Sequence, residues 1–135
     1  MRNYWFFVAD EKNWKIIKKN KIYAVKERYL KQFNQIHTGD FVAIYIKKKK
    51  IGGIFIIKSK EESNKTLFGD KAYKYKINLN TKNISDYPLE VSDMLIKRIS
   101  IFKDINRWGT VLMGRAIIKI KKEDINYINK LLKLL

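Results

Sequence analysis

Apolar residues occur along this chain in short runs separated by polar and basic segments, a pattern typical of many short strands. Residues 4–8 form an aromatic run of strand length, and residues 41–46 form a second apolar run after a Thr-Gly-Asp turn at 38–40. Residues 73–79 alternate apolar and polar side chains, as a strand with one exposed face does. The same pattern predicts further short strands at 22–26, 51–58, 99–102 and 116–120.

Helical signals are fewer than strand signals. Asp10 is suited to cap a helix over residues 11–19, with Asn20 as its end signal. Pro88 fits the first turn of a helix that runs to about Lys97. The acidic pair Glu123-Asp124 suits the start of a last helix. The apolar stripe of that last helix consists of Ile125, Ile128, Leu132 and Leu135.

The remaining segments are predicted to connect the strands and helices. Residues 27–37 are mixed and basic and predict a loop or one helical turn, and residues 60–71 are polar and predict a loop. The lysine run at 47–50 makes the tip of a hairpin, and Gly52-Gly53 in its return strand indicates a bulge or tight bend. The order of elements, β-α-β-loop-β-β-β-α-β-α, predicts one α+β domain over residues 1–135. Its expected core is a small, mixed, mostly antiparallel barrel with peripheral helices.

Several classes of function lack their residues in this sequence. There are no cysteines and one histidine, His37, so the ligands of a zinc deaminase or metallohydrolase are missing. Neither of the common glycine-rich phosphate-binding motifs occurs, and the carboxylates are few and scattered. We therefore expect no metal, no cofactor and no enzyme activity. No apolar run is long enough for a membrane span or a signal peptide, which favours a cytoplasmic protein.

The charge is strongly positive. Thirty basic residues stand against 13 acidic ones, a net charge of +17. Polyanions are the expected partners, and nucleic acid is the commonest of them, although charge alone does not separate nucleic acid from an anionic membrane surface. A genome rich in A and T also produces abundant Lys, Ile and Asn, so the charge has a second explanation that the sequence leaves open.

The aromatic residues divide into two groups. Trp5, Phe6 and Phe7 lie inside the first apolar run, and we assign them to the core, because a small core needs large aromatic area. Trp14 stands near the start of a short helix directly after a strand, and Trp108 lies between Arg107 and Gly109 in a predicted surface turn. A flat ring beside a cation is what a protein needs to hold a nucleobase, so these two predict a binding role.

These segments, in this order, resemble the EVE domains, small PUA-like barrels related to the YTH readers of methylated RNA. Each motif is weak alone, but together they extend over nearly the whole chain. The matching segments are Tyr4-Trp5 with Asn13-Trp14, residues 23–28, residues 38–40 with the strand after them, residues 73–77, Arg107-Trp108-Gly109 through Met113-Gly114, and residues 122–124.

The resemblance implies recognition of a modified base that is flipped out of its strand into an aromatic pocket. Carried over by position, it places Trp14, Tyr23 and Trp108 around the pocket, Val25 in its wall, Met113 in its lining, and Asp10 or Asn13 at a base edge. Lys26, Arg28 and Arg107 would form the mouth. Lys47 and Lys48, at the hairpin tip, are candidates for contacts with phosphates.

Two positions depart from the family pattern. Tyr23-Ala24 stands where relatives often carry Trp-Gly, and Lys26-Glu27 stands where a basic segment with Pro or Ser is usual. Both departures leave the exact shape of the pocket, and so the choice of base, open. The choice between RNA and DNA is open as well.

Other functions stay open at this point. The chain could be a general RNA-binding PUA-like domain without preference for modified bases, a small nucleotide-acting enzyme or small-ligand binder, or a scaffold. The short strands and the charged surface favour a monomer.

Overall fold

The structure, a computed structural model, describes residues 2–47, 50–63, 65–66, 68–69, 73–90 and 116–133. Within these ranges the chain forms six strands, three α-helices and one 3-10 turn. The strands are β1 (Tyr4–Ala9), β2 (Ile22–Val25), β3 (Phe41–Ile46), β4 (Lys50–Glu62), β5 (Tyr75–Glu90) and β6 (Ile117–Ile120). The helices are α1 (Glu11–Asn20), α2 (Leu30–Gln35) and α3 (Lys122–Lys133), with the 3-10 turn at Glu27–Tyr29.

One six-stranded sheet organises the described part of the chain, in the order β2-β5-β4-β3-β1-β6. The pair β1–β3 is parallel, and the other neighbours are antiparallel. The sheet curls into a half-barrel. The predicted mixed, mostly antiparallel architecture is therefore confirmed, with a half-barrel where a barrel was expected.

Both faces of the sheet are buried, and this follows from the alternation of side chains along β1. Trp5 and Phe7 point into one core, which also contains Trp14 and Ile17 from α1. Phe6 points into a second core on the other face, which is covered by α3. Trp5, Phe6 and Phe7 are each at most 1% exposed, so their assignment to the core is confirmed.

The two glycines of β4 allow the sheet to bend against α1. The pairing of β4 with β5 shifts register between Ile51 and Gly53, which confirms the predicted irregularity. A Cβ atom placed on Gly52 would lie 2.6 Å from the ring of Trp14. Only glycine therefore allows this approach of strand and indole.

Three predictions about the elements need correction. Pro88 lies in β5 and does not open a helix. In the register, Leu89 pairs with Ile51 and Ile84 pairs with Gly53, so Pro88 falls in the irregular stretch where a missing N–H breaks no ladder bond. Residues 60–62 belong to β4 and not to a loop, and residues 27–37 contain both the 3-10 turn and α2. The predicted strand at 99–102, the helix beyond residue 90 and Leu135 lie outside the described residues.

Candidate nucleic-acid interface

A cavity of about 230 Å³ opens where β1 ends, between β2, the start of α1 and the segment that precedes β5. It is smaller than the sites of roughly 300–1,000 Å³ that hold drug-sized ligands, and its size suits one planar ring system. Its lining consists of Val8, Ala9, Asp10, Asn13, Tyr23, Ala24, Val25, Lys26, Arg28, Tyr29, Lys47, Phe68, Tyr73 and Ala116.

Aromatic rings form a connected wall of this cavity. Tyr23 stacks on Phe7 of β1 with ring centroids 4.5 Å apart and an interplanar angle of 20°. Phe68 meets Tyr23 edge-on at 6.1 Å and meets Tyr73 edge-on at 5.2 Å. Each ring is thus held by another ring, and such pairs stabilise their geometry beyond the area they bury.

The hydroxyl of Tyr23 ties the wall to the sheet. It donates to the Val8 carbonyl at 2.8 Å and lies 3.2 Å from the Ala116 carbonyl, so β2 is joined to the end of β1 and to the residue before β6. Burial raises the pKa of Tyr23 far above its ordinary value, and nearby Tyr29 and Tyr73 raise it further. The side chain is therefore a neutral donor, and its hydroxyl serves the fold.

The backbone of Phe68 has an unusual conformation. Its φ is 58°, in the left-handed region that bulky residues rarely adopt, and Gly69 follows at φ 75°. For a residue other than glycine, such as Phe68, this backbone conformation costs on the order of 1–3 kcal/mol and persists where the surrounding structure determines it. Such conformations are enriched at ligand sites, which is in keeping with the place of Phe68 in the cavity wall.

The segment that leads to Phe68 is anchored by a buried lysine. Lys76 is 3% exposed, and its Nζ donates to the Ser63 and Lys65 carbonyls, each at 2.8 Å. The backbone N–H of Ser63 also donates to the Lys74 carbonyl at 2.8 Å. These bonds tie the segment to β5 and so fix its approach to the cavity.

Cationic side chains surround the opening. The Nζ of Lys26 lies 5.0 Å from the centre of the Tyr73 ring. The Arg28 guanidinium lies 4.9 Å from the centre of the Tyr29 ring and donates to the Tyr29 hydroxyl at 3.0 Å. Lys47, from the turn after β3, completes the rim. A rim of this charge attracts phosphate groups without selecting a base sequence.

A polar corner lies at the start of α1. The Asp10 Oδ1 accepts the backbone N–H of Asn13 at 2.7 Å, which confirms the predicted helix cap. Asp10 is exposed and lines the cavity beside Asn13. Within the described residues its second oxygen, Oδ2, has no hydrogen-bond donor, so it offers an acceptor to a ligand.

The predicted site residues are distributed as follows. The cavity brings together Asp10, Asn13, Tyr23, Val25, Lys26, Arg28 and Lys47. Trp14 is not part of the lining: it is 4% exposed and packs in the core, edge-on to Phe55 at 6.2 Å. Arg107, Trp108, Met113 and Lys48 lie outside the described residues.

Sequence reasoning missed two rings of the wall. The pattern assigns Tyr73 only to an alternating strand, and Phe68 lies in a segment that it predicts to be a polar loop. The pair Phe68-Gly69 carried a signal, because an apolar ring next to a turn-forming glycine in a polar segment has no core to enter locally.

The described ranges contain no group of three or more His, Asp or Glu side chains placed to hold a metal ion. Over the same ranges, no helix has the length and apolarity needed to cross a membrane.

Two relatives are similar to this chain in sequence over nearly its whole length. No protein-family model matches the chain. It is 26% identical over 144 aligned positions to a UPF0310 protein of Pyrococcus abyssi, with 96% of this chain and 99% of the relative covered. A UPF0310 protein of Pyrococcus horikoshii is 23% identical, with 96% and 98% covered.

Solved structures show the fold. The Mmi1 YTH domain in a complex with RNA superposes with a TM-score of 0.72 at 12% identity, covering 97% of this chain and 81% of that one. The YTH domain of the Zygosaccharomyces rouxii MRB1 protein, in complex with N6-methyladenosine RNA, gives 0.62 at 12% identity, with 98% and 85% covered. A protein of Rhodopseudomonas palustris gives 0.65 at 14% identity, with 98% and 94% covered. The chain therefore has the PUA-like fold of YTH domains.

Proposed function

We propose that this protein is a nucleic-acid-binding module without catalysis of its own, which takes one flipped base into the cavity at the end of β1. The observation that carries the proposal is a ring-sized cavity whose wall is a set of mutually packed aromatic rings and whose mouth is cationic. Tyr23, Phe68 and Tyr73 form the wall, and Lys26 and Arg28 stand at the mouth.

The interactions in such a site are strong enough to offset the cost of flipping a base out of its strand. Unstacking a base costs a few kcal/mol. Stacking on an aromatic side chain returns about 1–3 kcal/mol per base. Cations at the mouth add charge-assisted contacts to the phosphates on either side, which also makes binding sensitive to salt.

The polar corner suggests which bases fit. A carboxylate only accepts hydrogen bonds, so the Asp10 Oδ2 suits the exocyclic amino group of adenine or cytosine. The Asn13 amide can both donate and accept, and it can therefore pair with the neighbouring ring nitrogen. A methyl group on such a base that reaches the apolar wall adds about 0.8 kcal/mol. We therefore propose a modified adenine or cytosine as the preferred ligand.

The similar structures support binding of nucleic acid, whereas the choice of base in this protein is our proposal. The Mmi1 and Zygosaccharomyces rouxii YTH domains are described in complexes with RNA, the latter with N6-methyladenosine RNA. The resemblance to EVE domains supports a reader of modified bases. On that resemblance alone, we propose Trp108 and Met113 as further lining, Arg107 as part of the mouth and Lys48 as a phosphate contact.

The test is fluorescence anisotropy with labelled single strands of about twelve nucleotides, a length within the range of known single-strand sites. The strands are made as RNA and as DNA, and each carries N6-methyladenine, 5-methylcytosine, 5-hydroxymethylcytosine or no modification. We expect one modified strand to bind more tightly than its unmodified counterpart at physiological salt.

Matched variants locate the binding site. Tyr73→Leu removes one ring of the wall and should weaken binding of the preferred strand by roughly tenfold, the lower part of the range for one stacking contact. Tyr4→Leu is the control, because Tyr4 is also half-buried but lies at the other end of β1. If both variants bind like the wild type, the base does not enter this cavity.

A second function, general binding of RNA strands, is favoured by the net charge of +17 alone. It predicts equal binding of all the strands and a steep loss of affinity with added salt.

A further inference from the structure

The outer face of α1 is a row of lysines. Lys12, Lys15 and Lys19 are all exposed, and their spacing of three and four residues places them on one side of the helix. The opposite side carries Trp14 and Ile17, which are buried in the core.

The lysines of this row, which we name the α1 lysine face, form no ion pair with the nearby acidic residues Asp10 and Glu11 in the part of the chain that the structure describes. The one acidic residue within α1, Glu11, is engaged by Lys50, whose Nζ lies 2.6 Å from its Oε1. No ion pair of Lys12, Lys15 or Lys19 occurs within the described residues. The positive charge of the face is therefore available to an external anion.

The α1 lysine face begins in the same helical turn that contributes to the base cavity, although its lysines are not among the lining residues. Asp10 and Asn13, at the start of α1, line the cavity, and Lys12 lies between them in sequence. From Lys12 to Lys19 the helix advances about 10 Å at 1.5 Å per residue. One strand of a nucleic-acid helix carries a phosphate about every 3.4 Å along its axis, so this length corresponds to about three phosphates.

We propose that the α1 lysine face binds phosphates of the nucleotides that flank the flipped base, on the strand that delivers it to the cavity. This inference rests on the proposed function. It adds a direction: from the cavity, the strand runs along α1 toward Asn20. These contacts would supply affinity and salt dependence, whereas the cavity supplies the choice of base.

The chain contains a matched control for this proposal. Lys122, Lys130 and Lys133 of α3 are also exposed lysines on a helix. However, α3 covers the opposite face of the sheet from α1. Replacing either set of three lysines by glutamine changes the net charge equally, so a difference between the two variants reports position and not total charge.

The experiment measures anisotropy of the same strands from about 50 to about 200 mM salt. The variant Lys12→Gln, Lys15→Gln and Lys19→Gln should lose at least roughly tenfold in affinity at the higher salt. The slope of log affinity against log salt should become shallower by about two to three, the value for three lost phosphate contacts. The variant Lys122→Gln, Lys130→Gln and Lys133→Gln should behave like the wild type. The ratio of affinities for modified and unmodified strands should be unchanged in both variants.

Three results would overturn the proposal. Equal losses in the two variants would mean that only overall charge matters, and no loss in the α1 variant would mean that the strand leaves by another route. A changed ratio between modified and unmodified strands in the α1 variant would place the lysines in base recognition. Absence of any modified-base preference in the wild type would instead refute the reader function and leave the comparison of the two variants valid.

Discussion

Two aspartates stand at opposite ends of the parallel pair β1–β3, and their surroundings differ. Asp40, just before β3, is 1% exposed. It accepts the indole N–H of Trp5 at 3.0 Å and the backbone N–H groups of Asn3 at 3.0 Å and His37 at 2.9 Å. Asp10, just after β1, is exposed and, among the residues that the structure describes, accepts one hydrogen bond, from the backbone N–H of Asn13.

The difference shows that the same residue type can be enclosed by the fold at one end of a strand pair and exposed beside a cavity at the other. The buried carboxylate of Asp40 accepts three hydrogen bonds from the protein, so it fixes the turn before β3. The carboxylate of Asp10 caps α1 with one oxygen, and the residue is part of the cavity lining. The end of the sheet beside Asp10 is therefore where we propose the binding role.

The largest expected effect is at Asp40. Asp40→Ala leaves the Trp5 indole and two backbone N–H groups without their acceptor, at a cost of about 1 kcal/mol or more for each buried donor. We expect the free energy of unfolding to fall by about 3 kcal/mol or more, measured by urea denaturation. A loss below about 1 kcal/mol would show that water replaces the carboxylate and would weaken the contrast between the two aspartates.

Tyr23 tests the same contrast between fold and cavity within one side chain, because its ring lines the cavity whereas its hydroxyl bonds to the fold. Tyr23→Phe keeps the ring and removes the hydroxyl, which donates to the Val8 carbonyl and lies near the Ala116 carbonyl. We expect a loss of about 1–2 kcal/mol in the free energy of unfolding and little change in base selectivity. A loss of selectivity at unchanged stability would instead assign the hydroxyl to the ligand.

Asp10 is tested by two substitutions. Asp10→Ala removes the cap and should destabilise the protein by about 1 kcal/mol, whereas Asp10→Asn keeps a capping oxygen and should cost only a few tenths. Asp10→Asn also turns part of the acceptor into a donor. It should therefore weaken binding of an amino-bearing base roughly tenfold in the anisotropy assay. Unchanged binding by Asp10→Asn would remove Asp10 from base recognition.

The smallest expected effect is at alkaline pH. The folded protein raises the pKa of Tyr23 above its ordinary value of 10.0, so the neutral phenol is favoured in the fold. That stabilisation is complete below pH 10 and is lost as the pH rises above it, because the unfolded chain then releases the proton first. Between about pH 9.5 and 10.5 the wild type should lose about 0.7 kcal/mol more than Tyr23→Phe. If the free energy of unfolding fell equally with pH in the two proteins, the raised pKa of Tyr23 would be contradicted.

Local physical chemistry determined much of this protein from sequence alone. The aromatic run in β1 and the Asp10 cap of α1 depend on residues close together in the chain, and each lies where the pattern indicated. The bulge at Gly52-Gly53 and the last helix followed in the same way. The large aromatic area that a small core needs also predicted that Trp5, Phe6 and Phe7 are core residues, and the structure buries them on the two faces of β1.

The tertiary structure decided what depends on distant partners. Trp14 carries the local signs of a binding residue, but Gly52 lets its ring approach β4, and the ring is buried there. Pro88 carries the sign of a helix start but is accommodated in an irregular stretch of β5. Phe68 and Tyr73 meet at the cavity through a ring contact, and the buried Lys76 holds the chain at Ser63 and Lys65, a few residues before Phe68. Packing and long-range pairing place these side chains, and a local pattern does not contain the positions of residues far along the chain.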